Sequence, residues 1–172
     1  IVFLAWHFGS IWLHKPFLPT PWASVQALAV LWRQDNMGMH FLISAYRVIA
    51  SILLALLFAV PLGLFMGRHV KVDQLLGPMV YLLYPLPKVV FLPIIVVLMG
   101  LGNKPKILLI ALVVFFQILV VTRDAAKAVP KASEQSMRSL SASSWQMYQH
   151  LIIPYCLPKI LTALRVTLGT AI

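Results

Sequence analysis

Three long apolar runs, residues 40–66, 78–100 and 106–122, constrain this chain more than anything else in it. Short links carrying cations separate them, with Arg68 and Lys71 in one and Lys104 in the next. About 20 apolar residues make a helix that crosses the ~30 Å hydrocarbon core of a bilayer. Apolar residues make up 61% of the chain and charged residues 10%, and the mean hydropathy is +0.92. A soluble domain of 172 residues cannot hide that much apolar surface, so lipid is the solvent for most of it. In lipid every backbone polar group needs an internal partner, and for these runs that means helix. The predicted fold class is an all-α integral membrane protein.

Two further runs flank these three. Residues 1–13 look like the end of a membrane helix, since such a length reaches only about 20 Å. A fifth run begins near residue 155. Ile1 and Ile172 both lie inside apolar sequence, which predicts an internal fragment of about five spans with the first and last truncated. The first segment has neither the basic region nor the cleavage site of a signal peptide. Residues 14–38 are mixed, and 22–33 predict a short interfacial helix with Trp22 and Trp32 at the membrane boundary. Pro85, Pro87 and Pro93 predict a bent or partly unwound third span, which survives only against protein or a water-filled cavity.

The net charge of +10 does not point to nucleic acid. The cations fall between apolar runs, the pattern that orients membrane proteins, and no basic stripe interleaved with aromatics occurs. Alternating sides place Arg68, Lys71, Arg123, Lys127, Lys131, Arg138 and Lys159 together, against Lys15, Arg33, Lys104 and Lys106. The richer side is cytoplasmic by the positive-inside rule. It follows that the chain is a membrane protein of several passes.

Residues 123–159 are polar, cationic and rich in Ser, a costly stretch between membrane spans unless it meets something. Ala125 to Ser139 predict a helix with Glu134 and Arg138 paired one turn apart. Ser141 to Ser144 are cap residues before a second helix near Trp145. Leu140, Trp145, Met147 and Tyr148 are candidate anchors for a groove in a soluble partner. The alternative is a solvated linker.

His40, Ser44, Arg47 and Val48, then Pro61-Leu62-Gly63 and Gly67, open and close one span. Tyr84-Pro85, Pro87-Lys88 and Pro93 precede a Gly100-Leu101-Gly102-Asn103-Lys104 turn with Lys106-Ile107. Arg138-Ser139-Leu140, Ala142-Ser143, Trp145-Gln146, Pro154, Leu157-Pro158 and Arg165 follow in order. This series resembles the permease subunits of nitrate, sulfonate, taurine and bicarbonate importers of the ATP-binding-cassette (ABC) class. The resemblance implies a type I ABC importer permease fold, residues 1–172 forming one transmembrane domain, with 123–153 as its cytoplasmic coupling loop. It implies contact with the ATPase at Gln135, Ser136, Met137, Leu140, Ser141, Ala142 and Trp145. The family's Glu-Ala-Ala falls here on Gln135-Ser136-Met137, and its loop glycine on Ser141, where a residue with a side chain must bend differently or with strain.

The implied function is passage of a small solute, an anion such as a sulfonate, nitrate or taurine-like compound, delivered by an extracytoplasmic solute-binding protein. The implied partners are a cytoplasmic ABC ATPase subunit, a second permease copy in a homodimer, and the lipid bilayer. A scaffold subunit that recruits a soluble partner through 123–153 without transport is the alternative.

Arg47 and Arg165 are cations within apolar spans, where such residues face the bundle interior or water. They suit either a translocation path for an anion or bracing of backbone carbonyls. Lys88 beside Pro87 suits a structural or interfacial role, and Gln117 predicts an interhelical hydrogen bond of about 0.6–2 kcal/mol. The acids are Asp35, Asp73, Asp124 and Glu134, none of them read inside a span, which disfavours proton- or sodium-coupled carriage and intramembrane proteolysis. No G-x4-G-K-[ST] phosphate loop occurs, so ATP hydrolysis falls to a separate subunit. His7, His40, His69 and His150 are isolated and Cys156 is single, so no catalytic residue, metal site, cofactor or disulfide is expected.

Overall fold

The computed structural model describes residues 2–13, 18–34 and 36–171. Lys15 and Asp35, and the side chain of Arg33, lie outside the described residues. Among the described residues every regular element is a helix. The chain divides into two compact units, Ile1–Tyr46 and Arg47–Ile172.

The first unit holds α1 (Val2–Leu13) and α2 (Pro21–Gln34), and the opening turns of α3 (Met37–Arg68). Thr20 starts α2: its Oγ1 accepts from the Ala23 N–H at 3.3 Å, and Pro21 fills the first helical position, where a missing N–H costs nothing. Trp6 Nε1 donates to Pro19 O at 3.0 Å, tying α1 to the approach of α2.

The second unit is built around α6 (Asn103–Lys127), which carries the longest list of buried residues of any helix. α3 presents Ala55, Ala59 and Met66 to Val114, Ile118 and Leu119 of α6, with Val80 of α4 (Val70–Leu83) in the same cluster. A second cluster joins Leu64, Ala125 and Ala126 to Met147, Ile152, Cys156 and Ile160. Small residues set the approach of α3 to α6. A Cβ added to Gly63 would lie 2.8 Å from Thr122 Cβ, and one added to Gly67 would lie 2.6 Å from both Ala126 Cβ and Arg123 O. Close backbone approach of this kind is how membrane helices gain packing energy where lipid tails are as apolar as Leu. Ser51, fully buried, adds an interhelical bond from its Oγ to Ile107 O at 2.9 Å.

The third span bends as its prolines predict. α4 ends at Leu83 and a 3-10 turn (Lys88–Phe91) leads into α5 (Leu92–Met99), with an 88° bend between the two halves. α6 then follows a glycine turn in which Gly100 and Gly102 hold φ of 75° and 142°. After Pro130 come α7 (Lys131–Ser139) and α8 (Ser144–Met147), then a π turn (Tyr148–Ile152) and α9 (Ile153–Ala171), which packs along α6.

Two sequence expectations need correction here. The link after α3 is a single residue, His69, and α4 already begins at Val70, so Asp73 sits in a first helical turn rather than in a loop. The helix expected over Ala125–Ser139 is two helices. α6 stops at Lys127 because Pro130 cannot continue it, and the residues before a proline leave the α region. Among the described residues three helices are long and apolar enough to cross a membrane, or up to four with the bent pair counted as one span. α1, with 12 residues, is too short to be counted, so five spans are not established.

Candidate functional site

One end of the second unit collects its ion pairs. Arg123 of α6 pairs with Asp73 of α4 and with Asp124, at 3.1 Å for the latter, and Lys127 also pairs with Asp73. Arg123 Nη1 donates to Tyr81 Oη at 2.7 Å, and the guanidinium lies over the Tyr81 ring. Arg68, the last residue of α3, pairs with Glu134 of α7 at 2.6 Å and donates to Ala126 O at 3.4 Å. The hydrogen bond from Arg68 holds the Glu134 carboxyl below the usual carboxylate range. The one-turn Glu134–Arg138 pair expected from sequence therefore gives way to a bond that pins α7 to the end of α3. Arg138 instead joins Arg68, His69, Ala142 and Ser144 around a pocket of about 220 Å³ whose other walls are Met147, Tyr148 and Ile152. The segment after α3 and the segment after α6 thus share one end of the bundle, as alternating links require.

Beyond this anchored base, residues 139–147 form a projecting corner. Ser141 holds φ at 54°, the left-handed conformation a glycine takes cheaply. Ser143 then caps α8 reciprocally: its Oγ accepts from the Gln146 N–H at 3.3 Å, and its own N–H donates to Gln146 Oε1 at 2.8 Å. Leu140 and Trp145 flank the corner with 79% and 72% of their surface exposed. Gln135 and Ser136 are exposed on α7, while Met137 and Ala142 are half-buried. Met147 and Tyr148 do not belong to this surface. Met147 is buried in the second core cluster and Tyr148 packs against it, so the expected anchors reduce to Leu140 and Trp145.

Arg47 and Arg165 are not brought together. Arg47 Nε donates to Asn103 Oδ1 at 2.8 Å, level with the start of α6 and away from the ion-paired end. Arg165 lies exposed on α9 with no hydrogen bond or ion pair among the described residues.

Sequence alone missed a pairing at the bend of the third span. Lys88 is 9% exposed, and its ammonium donates to Leu83 O at 2.7 Å and to Tyr84 O at the break of α4, where Leu83 O also accepts from the Leu86 N–H at 3.3 Å. It faces a pocket of about 300 Å³ shared with Gln117 of α6. The interhelical bond expected of Gln117 is not made: its Oε1 is buried without a partner among the described residues. The available signal was two isolated polar residues facing the proline break, but nothing in the sequence placed them on one cavity.

The model of the family described as binding-protein-dependent transport system inner membrane component matches residues 59–172. The chain belongs to that family. With its apolar helices, this inner membrane component is a multi-pass membrane protein. It is 32% identical over 95% of its length to the taurine transport system permease protein of Escherichia coli. It is 36% identical over 76% of its length to a putative ABC transporter permease protein of Methanocaldococcus jannaschii. Over 90% of its length it is 29% identical to a putative aliphatic sulfonates transport permease protein of Bacillus subtilis. The chain spans 62%, 49% and 56% of those relatives' own lengths.

Proposed function

We propose that this chain is the membrane-spanning core of a permease subunit in an ATP-driven importer, and that residues 123–153 couple it to a cytoplasmic ATPase. The observation that carries the proposal is the corner at 139–147. Leu140 is exposed just before the last apolar span, Ser144–Gly169, and Trp145 is exposed in its first turn, and the corner is held by a capping box. Exposed aromatic and aliphatic residues on a fixed helical corner are the anchors that a groove in a partner fills. The Arg68–Glu134 bond joins that corner to α3, so motion imposed on α7 is passed to a membrane helix rather than absorbed in a linker.

In this proposal the cytoplasmic side is the ion-paired end, rich in Lys and Arg. ATP is hydrolysed by the partner subunit, a second permease copy completes the path as a homodimer, and an extracytoplasmic binding protein delivers the solute. Relatives named for taurine and aliphatic sulfonates support a small organic anion as cargo. Arg47 and Arg165 are proposed to attract that anion along the path. The scaffold alternative draws no support from relatives that are named as transport permeases.

The test is assembly and uptake with the full-length protein. The neighbouring nucleotide-binding subunit should co-purify with it, and the pair with its binding protein should drive ATP-dependent uptake into proteoliposomes. Leu140→Asp or Trp145→Asp should release the ATPase and stop uptake while the spans still insert. Unchanged ATPase recovery and uptake in both variants would refute the coupling role.

A further inference from the structure

Among the described residues Lys88 is a buried cation without a counter-charge. The described acids are all engaged at the far end of the bundle: Asp73 with Arg123 and Lys127, Asp124 with Arg123, and Glu134 with Arg68. Two protons of the Lys88 ammonium go to Leu83 O and Tyr84 O. Those carbonyls are dipoles and leave the formal charge in place, while the third proton is uncommitted. A desolvated, unneutralised ammonium is expensive in a membrane interior and marks a solute or ion site by default.

The cavity before it has the chemistry of an amphoteric ligand. Its walls are Tyr84, Leu86, Val113 and Phe116, with Lys88 and Gln117 as the polar groups, and its volume is about 300 Å³. Phe116 also carries the ammonium over its ring at 4.9 Å, which holds Lys88 toward α6. The orphaned Oε1 of Gln117 needs a donor, and no described protein group supplies one. At ~1.5 Å per residue Gln117 lies about 21 Å along α6 from Asn103 and about 15 Å from Lys127. That is near mid-depth, beside a broken helix, where irregular backbone survives only against a lined cavity.

Resting on the importer proposal, we infer that the Lys88–Gln117 cavity is the solute subsite of the permease, taking a small monoanion that bears a hydroxyl or ammonium donor. Lys88 holds the anionic group and Gln117 Oε1 accepts from the donor. The headgroup of an anionic lipid offers the same two functions, and the experiment separates the two sources.

Full-length permease in phosphatidylcholine nanodiscs is titrated with ethanesulfonate and with 2-hydroxyethanesulfonate, and melting is followed by tryptophan fluorescence. Ethylammonium chloride at equal ionic strength is the cation control. Both sulfonates should raise the melting temperature, and the hydroxylated one should half-saturate at about tenfold lower concentration, as one added hydrogen bond predicts. Lys88→Gln should abolish both shifts and Lys88→Arg should keep a weaker one. Gln117→Leu should make the two sulfonates equal, without lowering the melting temperature of the ligand-free protein, because it removes an orphaned acceptor.

Absent shifts in the wild type, equal affinity for the two sulfonates, or full shifts in Lys88→Gln would each overturn the assignment. Should Lys88→Gln fail to fold, Gln117→Leu decides, since retained discrimination there also overturns it. A Lys88-dependent stabilisation produced by adding phosphatidylglycerol to the nanodiscs, and not by the sulfonates, would give the cavity to a lipid headgroup and overturn the solute site. The importer proposal fails on different evidence, namely a wild-type permease that does not assemble with its ATPase.

Discussion

Ser141 holds the left-handed conformation with φ at 54°, which costs an L-residue about 1–2 kcal/mol. It does so because the corner between α7 and α8 has only Leu140 to Ser143 in which to reverse, and Ser143 is committed to its capping box. Ser141→Gly should therefore raise stability by about 0.5–1 kcal/mol, the relieved strain less the extra entropy of the unfolded glycine chain. Thermal melting of the permease alone checks this. A melting temperature that falls would mean that the entropy gained by the unfolded glycine chain exceeds the strain relieved. Glu134 gives a second residue-scale prediction. Its carboxyl titrates below its unfolded value because Arg68 bonds it, so the pair contributes stability above the unfolded pKa and loses it as pH falls through the folded one. Glu134→Gln should cost roughly 1–2 kcal/mol at neutral pH. The difference from wild type should shrink to nothing under acid conditions. A cost that persists there would mean that the pair is not its source.

At the scale of elements, the approach of α3 to α6 depends on two glycines one turn apart. Gly67→Ala would set a Cβ 2.6 Å from a backbone oxygen, which cannot swing away as a flexible side chain would. The helices must separate, and Arg68, the next residue, is drawn off Glu134 with them. The variant should lose about 1–3 kcal/mol, the usual cost of overpacking. It should also uncouple ATP hydrolysis from uptake more than Gly169→Ala, where a Cβ meets nothing within 4 Å. Equal behaviour of the two would show that the tight approach is not part of the coupling. These elements were legible in the sequence to unequal degrees. Continuous apolar runs and the proline cluster made α3, the bend and α6 readable, and the serine run before Trp145 announced the cap of α8. The start of α4 at Val70 was not readable. His69 to Asp73 look like a polar link, and helix forms there because Asp73 meets Arg123, fifty residues on. For the same reason the Glu134–Arg138 pair was misjudged: local spacing favours it, but Arg68 lies closer in the fold.

For the whole molecule, the distribution of charge carries the orientation. The ion-paired end holds Arg68, Arg123, Lys127 and Glu134, and the opposite end holds Arg47 bonded to Asn103 near the glycine turn. If the first end is cytoplasmic, cysteines placed at the two ends should differ in access from outside the cell. Cys156 is fully buried and is replaced by Ala first. Lys104→Cys, exposed in the first turn of α6, should then react with a membrane-impermeant thiol reagent in intact cells. Ser139→Cys, exposed at the end of α7, should react only after the membrane is opened. Neither position belongs to the Ser143 capping box or the Arg47–Asn103 bond, and Ser139→Cys gives up only a bond within α7, from Ser139 Oγ to Gln135 O at 3.0 Å, so labelling reports sidedness. Bound ATPase should further slow the Ser139→Cys reaction in opened membranes, because that residue borders Leu140 on the proposed docking corner. Labelling of Ser139→Cys in intact cells would reverse the orientation and remove the corner from reach of any cytoplasmic ATPase.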